Sequence, residues 1–147
     1  MAQKLPYSAN SSIEISLPPE RVFDAWLDPT TAARFLAAGS MRVADAQIDA
    51  REGGAFRIVM SDGANELLHE GRYVLIDRPR RLIFTWISAG TDWRLSLVTI
   101  NFVPTATGSR IELLHEGIPD ADRANKHQGG WSTILRKLAD HLTGVTG

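Results

Sequence analysis

The chain has 147 residues, a formal net charge of -1 and no cysteine. Hydrophobic residues make up 44% of it and charged residues 22%, a composition that is typical of globular domains and excludes a disordered chain. We therefore predict one domain over residues 1–147. The balanced charge argues against nucleic acid as a partner. The missing cysteine excludes disulfides, thiolate nucleophiles and cysteine-ligated metals.

The beginning of the sequence lacks the apolar segment that a signal peptide needs. No window approaches the roughly 20 apolar residues of a membrane-spanning helix. We therefore expect a cytoplasmic protein with no membrane span.

A strand and two short helices are the first predicted elements. Residues 11–17 alternate between polar and apolar as a strand does. Pro19 lies in the first turn of a helix, where proline is tolerated. Asp28 then caps a second helix, which starts at Pro29 and ends at Gly39. The apolar residues that line these helices are Val22, Phe23, Trp26, Leu27, Ala32, Ala33, Phe35 and Leu36.

A run of strands separated by short turn signals follows. The turns carry Gly, Asp, Ser or Pro, as in Ser61-Asp62-Gly63. Connections this short predict an antiparallel meander. The predicted strands are 43–50, 55–60, 66–76, 81–88, 93–103 and 109–116.

One long amphipathic helix is predicted over about 122–142. Lys137 falls outside its apolar stripe, on the side that we expect to face solvent. Gly129 and Gly130 interrupt it, which indicates close approach to the sheet, a bend, or a helix that starts only at Gly130. The apolar stripe consists of Trp131, Ile134, Leu135, Leu138 and Leu142.

These elements predict an α+β fold in which a bent antiparallel sheet of six or seven strands wraps around the C-terminal helix. A sheet with one apolar face must cover that face, and this helix is the only element large enough to do so. The hexapeptide Glu-Leu-Leu-His-Glu-Gly occurs twice, at 66–71 and 112–117. Both copies fall on predicted strands, and their flanks do not match.

The motifs of this chain resemble those of the family of activators of heat-shock-protein-90 ATPase homologues, within the START-like, helix-grip superfamily. The resemblance covers nearly the whole chain and implies a cavity between the sheet and the last helix. Trp86 matches the end of the family's Phe-Thr-Trp motif, Trp131 its Gly-Trp motif, and Arg51 with Gly53-Gly54 its Asp-x-Arg-x-Gly-Gly turn. The matching stretches are PPERVFDAWLDP (18–29), DAREGGAFRIVM (49–60), GRYVLIDRPRRLIFTW (71–86), VTINFVPTATGSRIELLHEGIP (98–119) and HQGGWSTILRKLADHL (127–142).

Aromatic side chains and histidines are the candidates for the wall of that cavity. Trp and Tyr combine an apolar body with a polar tip, and His can anchor a ligand or carry a proton. On strands and helices that face the cavity, these residues can also be ordinary core. The candidate cavity residues are Phe56, Tyr73, Phe84, Trp86, Trp131, His69, His115 and His127.

No motif of a nucleophilic or zinc-dependent hydrolase is present, and no phosphate-binding loop. We therefore predict no catalytic residues, no metal site and no cofactor. The sequence favours a module that binds an apolar or amphipathic small molecule. The alternatives are an enzyme of the polyketide-cyclase or dehydratase type that uses a cavity His or Tyr, and a stress-related co-chaperone. As protein partners, the sequence leaves open a second copy of the chain and a chaperone.

Overall fold

The computed structural model describes residues 7–144. The elements in chain order are β1 (Tyr7–Ile15), α1 (Pro19–Ala25), α2 (Pro29–Phe35), β2 (Arg42–Ile48), β3 (Ala55–Ser61), β4 (Glu66–Asp77), β5 (Arg81–Ser88), a short 3-10 helix (Ala89–Thr91), β6 (Ser96–Pro104), β7 (Ser109–Ile118) and α3 (Ala121–Thr143).

The strands form one seven-stranded sheet in the order β1-β7-β6-β5-β4-β3-β2. All neighbouring strands pair antiparallel, and α3 packs against β1, β7 and α2. This confirms the predicted α+β helix-grip class, with a bent sheet around the last helix and two short helices after the first strand. None of the helices within residues 7–144 is long and apolar enough to cross a membrane.

Side-chain caps start the second and third helices. The Asp28 carboxylate accepts a hydrogen bond from the backbone N–H of Thr30, which confirms the predicted cap before Pro29. Asp120 accepts from the backbone N–H of Arg123 at 2.8 Å. These bonds satisfy N–H groups that have no partner inside the helix.

Two strands and one helix have an end that differs from the predicted one by three or more residues. β1 starts before residue 11 because its backbone pairs with β7 from Tyr7 opposite Ile118 onward, and this ladder does not depend on alternating side chains. β6 starts at Ser96 rather than 93, because Asp92 and Trp93 have left-handed backbone conformations that cannot continue a strand. α2 ends at Phe35 and not at Gly39, and Ala33 on it is exposed.

The buried side of α3 carries Trp131, Ile134, Leu135 and Leu138, as its periodicity predicts. The helix runs through its glycine pair without starting there. A Cβ on Gly130 would lie 3.1 Å from the Cβ of Ala38, whereas a Cβ on Gly129 would meet nothing within 4 Å. The close approach at position 130 is therefore to the loop after α2 and not to the sheet.

Candidate functional site

A cavity of about 290 Å³ lies between α3, the sheet and the loop that connects α2 to β2. Most of its lining is apolar side-chain surface. The sheet and the 3-10 helix contribute Met60, Leu67, His69, Trp86, Ser88, Ala89 and Gly90. The helix and the loop contribute Lys126, His127, Gly130, Trp131, Ile134, Ala38 and Met41.

Trp86 of β5 and Trp131 of α3 form the aromatic floor of the cavity. Their rings lie 5.1 Å apart, and both side chains are almost fully buried. The ring of His69 lies 5.0 Å from that of Trp86. The structure thus brings together four of the residues predicted from sequence, with His127 as the fourth.

His69 is a neutral imidazole in the wall of the cavity. Burial lowers its pKa to about 4, against the opposing effect of the backbone carbonyls of Leu67 and Ile58. Its Nδ1 lies 3.1 Å from the carbonyl oxygen of Leu67, and a carbonyl can only accept a hydrogen bond. Nδ1 therefore carries the proton.

His127, on the opposite wall of the cavity, also bonds to a backbone carbonyl through Nδ1. Its Nδ1 lies 2.7 Å from the carbonyl oxygen of Arg123, one turn earlier in α3, so Nδ1 is the donor. Burial is the main cause that lowers the pKa of His127. The imidazole is therefore neutral near pH 7, with Nε2 as a hydrogen-bond acceptor.

His115 lies behind Trp131, fully buried, and does not line the cavity. The indole N–H of Trp131 donates to His115 Nδ1 at 3.0 Å, so the ring proton is on Nε2. Nε2 lies 2.7 Å from Ser96 Oγ, and the Ser96 hydroxyl donates to the Trp86 carbonyl. This chain of donors ties α3 to β7, β6 and β5.

The contact between Ser96 and His115 resembles that of a nucleophile with its general base, but the hydrogen bond runs in the opposite direction. A general base must accept the serine proton, whereas here His115 donates to Ser96 and the serine proton goes to a carbonyl. Both residues are also closed off from the cavity. The pair therefore supports the packing of the helix and not hydrolysis.

Phe56, Tyr73 and Phe84 form a second aromatic cluster on the far side of Trp86. The ring of Phe56 lies 5.4 Å from each of the other two. The space beside them has a volume of about 10 Å³, hardly that of one water molecule. Burial raises the pKa of the Tyr73 hydroxyl, and no contact links that hydroxyl to the larger cavity.

The loop wall of the cavity is fastened to α3 by polar side chains. Lys137 Nζ donates to the carbonyl oxygens of Ala37 at 2.6 Å and Met41 at 3.1 Å. The backbone N–H of Gly39 donates to Thr133 Oγ1 at 2.8 Å. Lys137 therefore does not face solvent freely, and its partial burial lowers the pKa of its ammonium group.

Sequence reasoning missed two kinds of lining residue. Ser88 ends β5 and Gly90 lies in the turn that follows it, and a turn signal gives no direction toward the cavity. Ala38 and Met41 belong to a loop without periodicity, so no pattern could place them. Among residues 7–144, no group of three or more His, Asp or Glu side chains is arranged to hold a metal ion.

Several proteins of known structure have the same fold as this chain. Protein CV1439 from Chromobacterium violaceum is 29% identical over 93% of this chain and 98% of its own, with a TM-score of 0.84. The AHSA1 protein from Silicibacter pomeroyi is 26% identical over 95% of this chain and 99% of its own, with a TM-score of 0.80. The AHSA1-like protein from Aeromonas hydrophila, at 22% identity and a TM-score of 0.76 over 95% of both chains, shares the fold.

No curated protein is significantly similar to this chain in sequence. The sequence profile of the family described as "Activator of Hsp90 ATPase homolog 1-like protein" matches residues 16–143. That range includes every helix and strand except β1, which ends just before it. The chain therefore belongs to the family of Activator of Hsp90 ATPase homolog 1-like proteins.

Proposed function

We propose that this protein binds a small apolar or amphipathic molecule in the cavity between α3 and the sheet. The observation that supports the proposal is a cavity of about 290 Å³ whose wall is mostly apolar and whose floor is two tryptophan rings. This volume is at the lower end of ligand-binding pockets, which span about 300–1,000 Å³. The ligand is therefore a compact molecule, such as a fused aromatic ring system or a short branched chain.

Burial of the ligand supplies the affinity. Removing apolar surface from water contributes about 25 cal/mol per Å², and part of that gain is lost to the entropy of association. For a compact ligand we expect a Kd around micromolar, about −8 kcal/mol. The bound molecule should lie against Trp86 and Trp131, so binding should change tryptophan fluorescence.

The glycine pair of α3 supplies a matched test. Gly130 lines the cavity, whereas the position of a Cβ on Gly129 is open. Both replacements by leucine raise helix propensity. An environment-sensitive apolar dye should bind the wild type saturably, Gly129→Leu should bind it equally well, and Gly130→Leu should lose binding.

A thermal melt of each variant shows whether loss of dye follows from unfolding. The new side chain of Gly130→Leu must move Ala38 by a few tenths of an ångström, since its Cβ would lie 3.1 Å from the Cβ of Ala38. A folded Gly130→Leu variant that binds the dye like the wild type would contradict the proposal. So would a folded wild type that binds no member of a broad panel of apolar ligands.

A second candidate function is contact with a chaperone, which the family description names through the Hsp90 ATPase. The observation that favours it is an apolar tip between β5 and β6, where Trp93 is 56% and Leu95 65% exposed. Exposed apolar side chains that lie close together are typical of interaction sites. The alternative of an enzyme that uses Tyr73 gains no support, because Tyr73 lies outside the cavity.

The chaperone candidate is tested with an ATPase assay. Addition of the wild-type protein to a bacterial chaperone of the Hsp90 class should raise its ATPase rate. The double substitution Trp93→Ser with Leu95→Ser should abolish the effect and leave dye binding unchanged. An unchanged ATPase rate with wild-type protein would count against this function.

A further inference from the structure

One end of the cavity carries an unused hydrogen-bond donor. Ser88 is 1% exposed and lines the cavity. Its Oγ accepts a hydrogen bond from the backbone N–H of Gly90 at 3.1 Å. No atom of residues 7–144 is bonded as an acceptor of the Ser88 hydroxyl proton, so that proton is available to a molecule in the cavity.

A hydrogen-bond acceptor lies next to this donor. Nδ1 of His127 is committed to the carbonyl of Arg123, which leaves the lone pair of Nε2 unused. A Cβ atom on Gly90 would lie 3.2 Å from His127 Nε2 and 3.3 Å from Ser88 Oγ. The two atoms thus flank the bare face of Gly90 closely enough for one polar group to reach both.

The absence of a side chain at Gly90 keeps this end of the cavity accessible. A Cβ there would lie 3.0 Å from His127 Cε1, so any larger residue would push the imidazole aside. A further polar side chain near this pair is His69, which lies opposite Ser88 in the β4–β5 ladder and has its Nδ1 bonded to the carbonyl of Leu67. The nearest lysine, Lys126, turns its ammonium group to solvent and pairs with Asp122 at 3.1 Å.

A donor on Ser88 beside an acceptor on His127 matches a ligand group that both accepts and donates a hydrogen bond. The inference rests on the proposed function of the cavity. We propose that the cavity takes a neutral hydroxyl-bearing apolar molecule, a phenol or an alcohol. Its O–H donates to His127 Nε2, and its oxygen accepts from the Ser88 hydroxyl. An ether of the same shape leaves Nε2 unpaired, and a carboxylate brings a charge without a buried partner.

A matched set of naphthalenes tests this assignment by isothermal titration calorimetry near neutral pH. 2-Naphthol should bind about 5- to 150-fold more tightly than 2-methoxynaphthalene, because this is the affinity that an unpaired buried acceptor costs. It should also bind more tightly than 2-naphthoate. In the His127→Phe variant the affinities for the naphthol and the ether should become equal.

His141→Phe is the matched control, since it changes the same residue type on the exposed end of α3. This variant should keep the wild-type preference for the naphthol. Ser88→Ala should weaken binding of the naphthol and the ether together, because both oxygens accept from the serine. Circular dichroism melts of all variants verify that they are folded.

Three outcomes would overturn the inference, and a fourth would overturn the proposed function with it. Equal affinity of naphthol and ether in the wild type would exclude the hydroxyl assignment and leave apolar binding intact. A preference for the naphthol that survives in folded His127→Phe would exclude His127 as the acceptor. Tightest binding of 2-naphthoate would assign the polar contact to Lys126. Failure of all three compounds and of naphthalene to bind would reject the cavity as a ligand site.

Discussion

His115 links α3 to the sheet through hydrogen bonds on both of its ring nitrogens. It accepts from Trp131 on one nitrogen and donates to Ser96 from the other. Only the neutral ring with its proton on Nε2 can make both bonds. A protonated ring would turn a donor toward the indole N–H, so protonation and this packing exclude one another.

This arrangement predicts a stability that decreases with acid. Burial lowers the pKa of His115 to about 3, whereas in the unfolded chain it is about 6.5. Between these values the unfolded state binds a proton that the folded state does not, so the free energy of unfolding falls as pH falls. The expected slope is about 1.4 kcal/mol per pH unit for this histidine, and its stabilising effect is complete above about pH 6.5.

Urea melts between about pH 7.5 and 4.5 measure that slope. His115→Gln should flatten it by about 1.4 kcal/mol per pH unit, leaving the contributions of His69 and His127, whose pKa values burial also lowers. His141→Gln, at an exposed position, should keep the wild-type slope. Equal slopes in the wild type and His115→Gln would show that His115 is protonated in the folded protein.

At the scale of elements, α3 organises both the sheet side and the loop side of the cavity. Its apolar stripe was predictable from the 3.6-residue period, and the structure confirms that Trp131, Ile134, Leu135 and Leu138 are buried. The role of Lys137 was not predictable, because its partners are backbone carbonyls of a loop about 100 residues earlier. Hydrogen bonds between distant segments leave no periodic signal.

Lys137→Met should therefore destabilise the protein although the position lies outside the apolar stripe. The substitution leaves the carbonyls of Ala37 and Met41 without their donor, and hydrogen bonds to charged groups contribute about 1.5–3 kcal/mol. We expect a loss of about 1–3 kcal/mol in the free energy of unfolding from urea melts. Dye affinity should fall as well, since the loop is a wall of the cavity.

Lys126→Met is the matched control on the same helix. Its ammonium group pairs with Asp122 on an exposed face at i,i+4, and such pairs contribute at most about 0.5 kcal/mol. The free energy of unfolding should change by no more than that. An equal, small loss in both variants would mean that Lys137 does not hold the loop.

At the scale of the whole molecule, the cavity is a product of segments that are far apart in the chain. Its walls come from the loop around Ala38, from β3 to β5, from the 3-10 helix and from α3. The sequence predicted eight aromatic and histidine residues as one lining. The structure divides them at Trp86, with Phe56, Tyr73 and Phe84 beyond it and His115 behind Trp131. Residue type predicts burial, but which of two neighbouring spaces a ring borders depends on how strands and helix meet.

The repeated hexapeptide shows where local sequence stops being informative. Both copies form strands, and in each the first Leu and the His lie on one face, as the two-residue period requires: Leu67 and His69 line the cavity, and Leu113 and His115 are buried. Yet His69 borders the cavity, whereas His115 lies in the core bonded to Trp131. Period, capping residues and turn signals are local and appear in the sequence. The choice between cavity and core is made by α3, which packs against β1, bonds to β7 through Trp131 and leaves a space over β4.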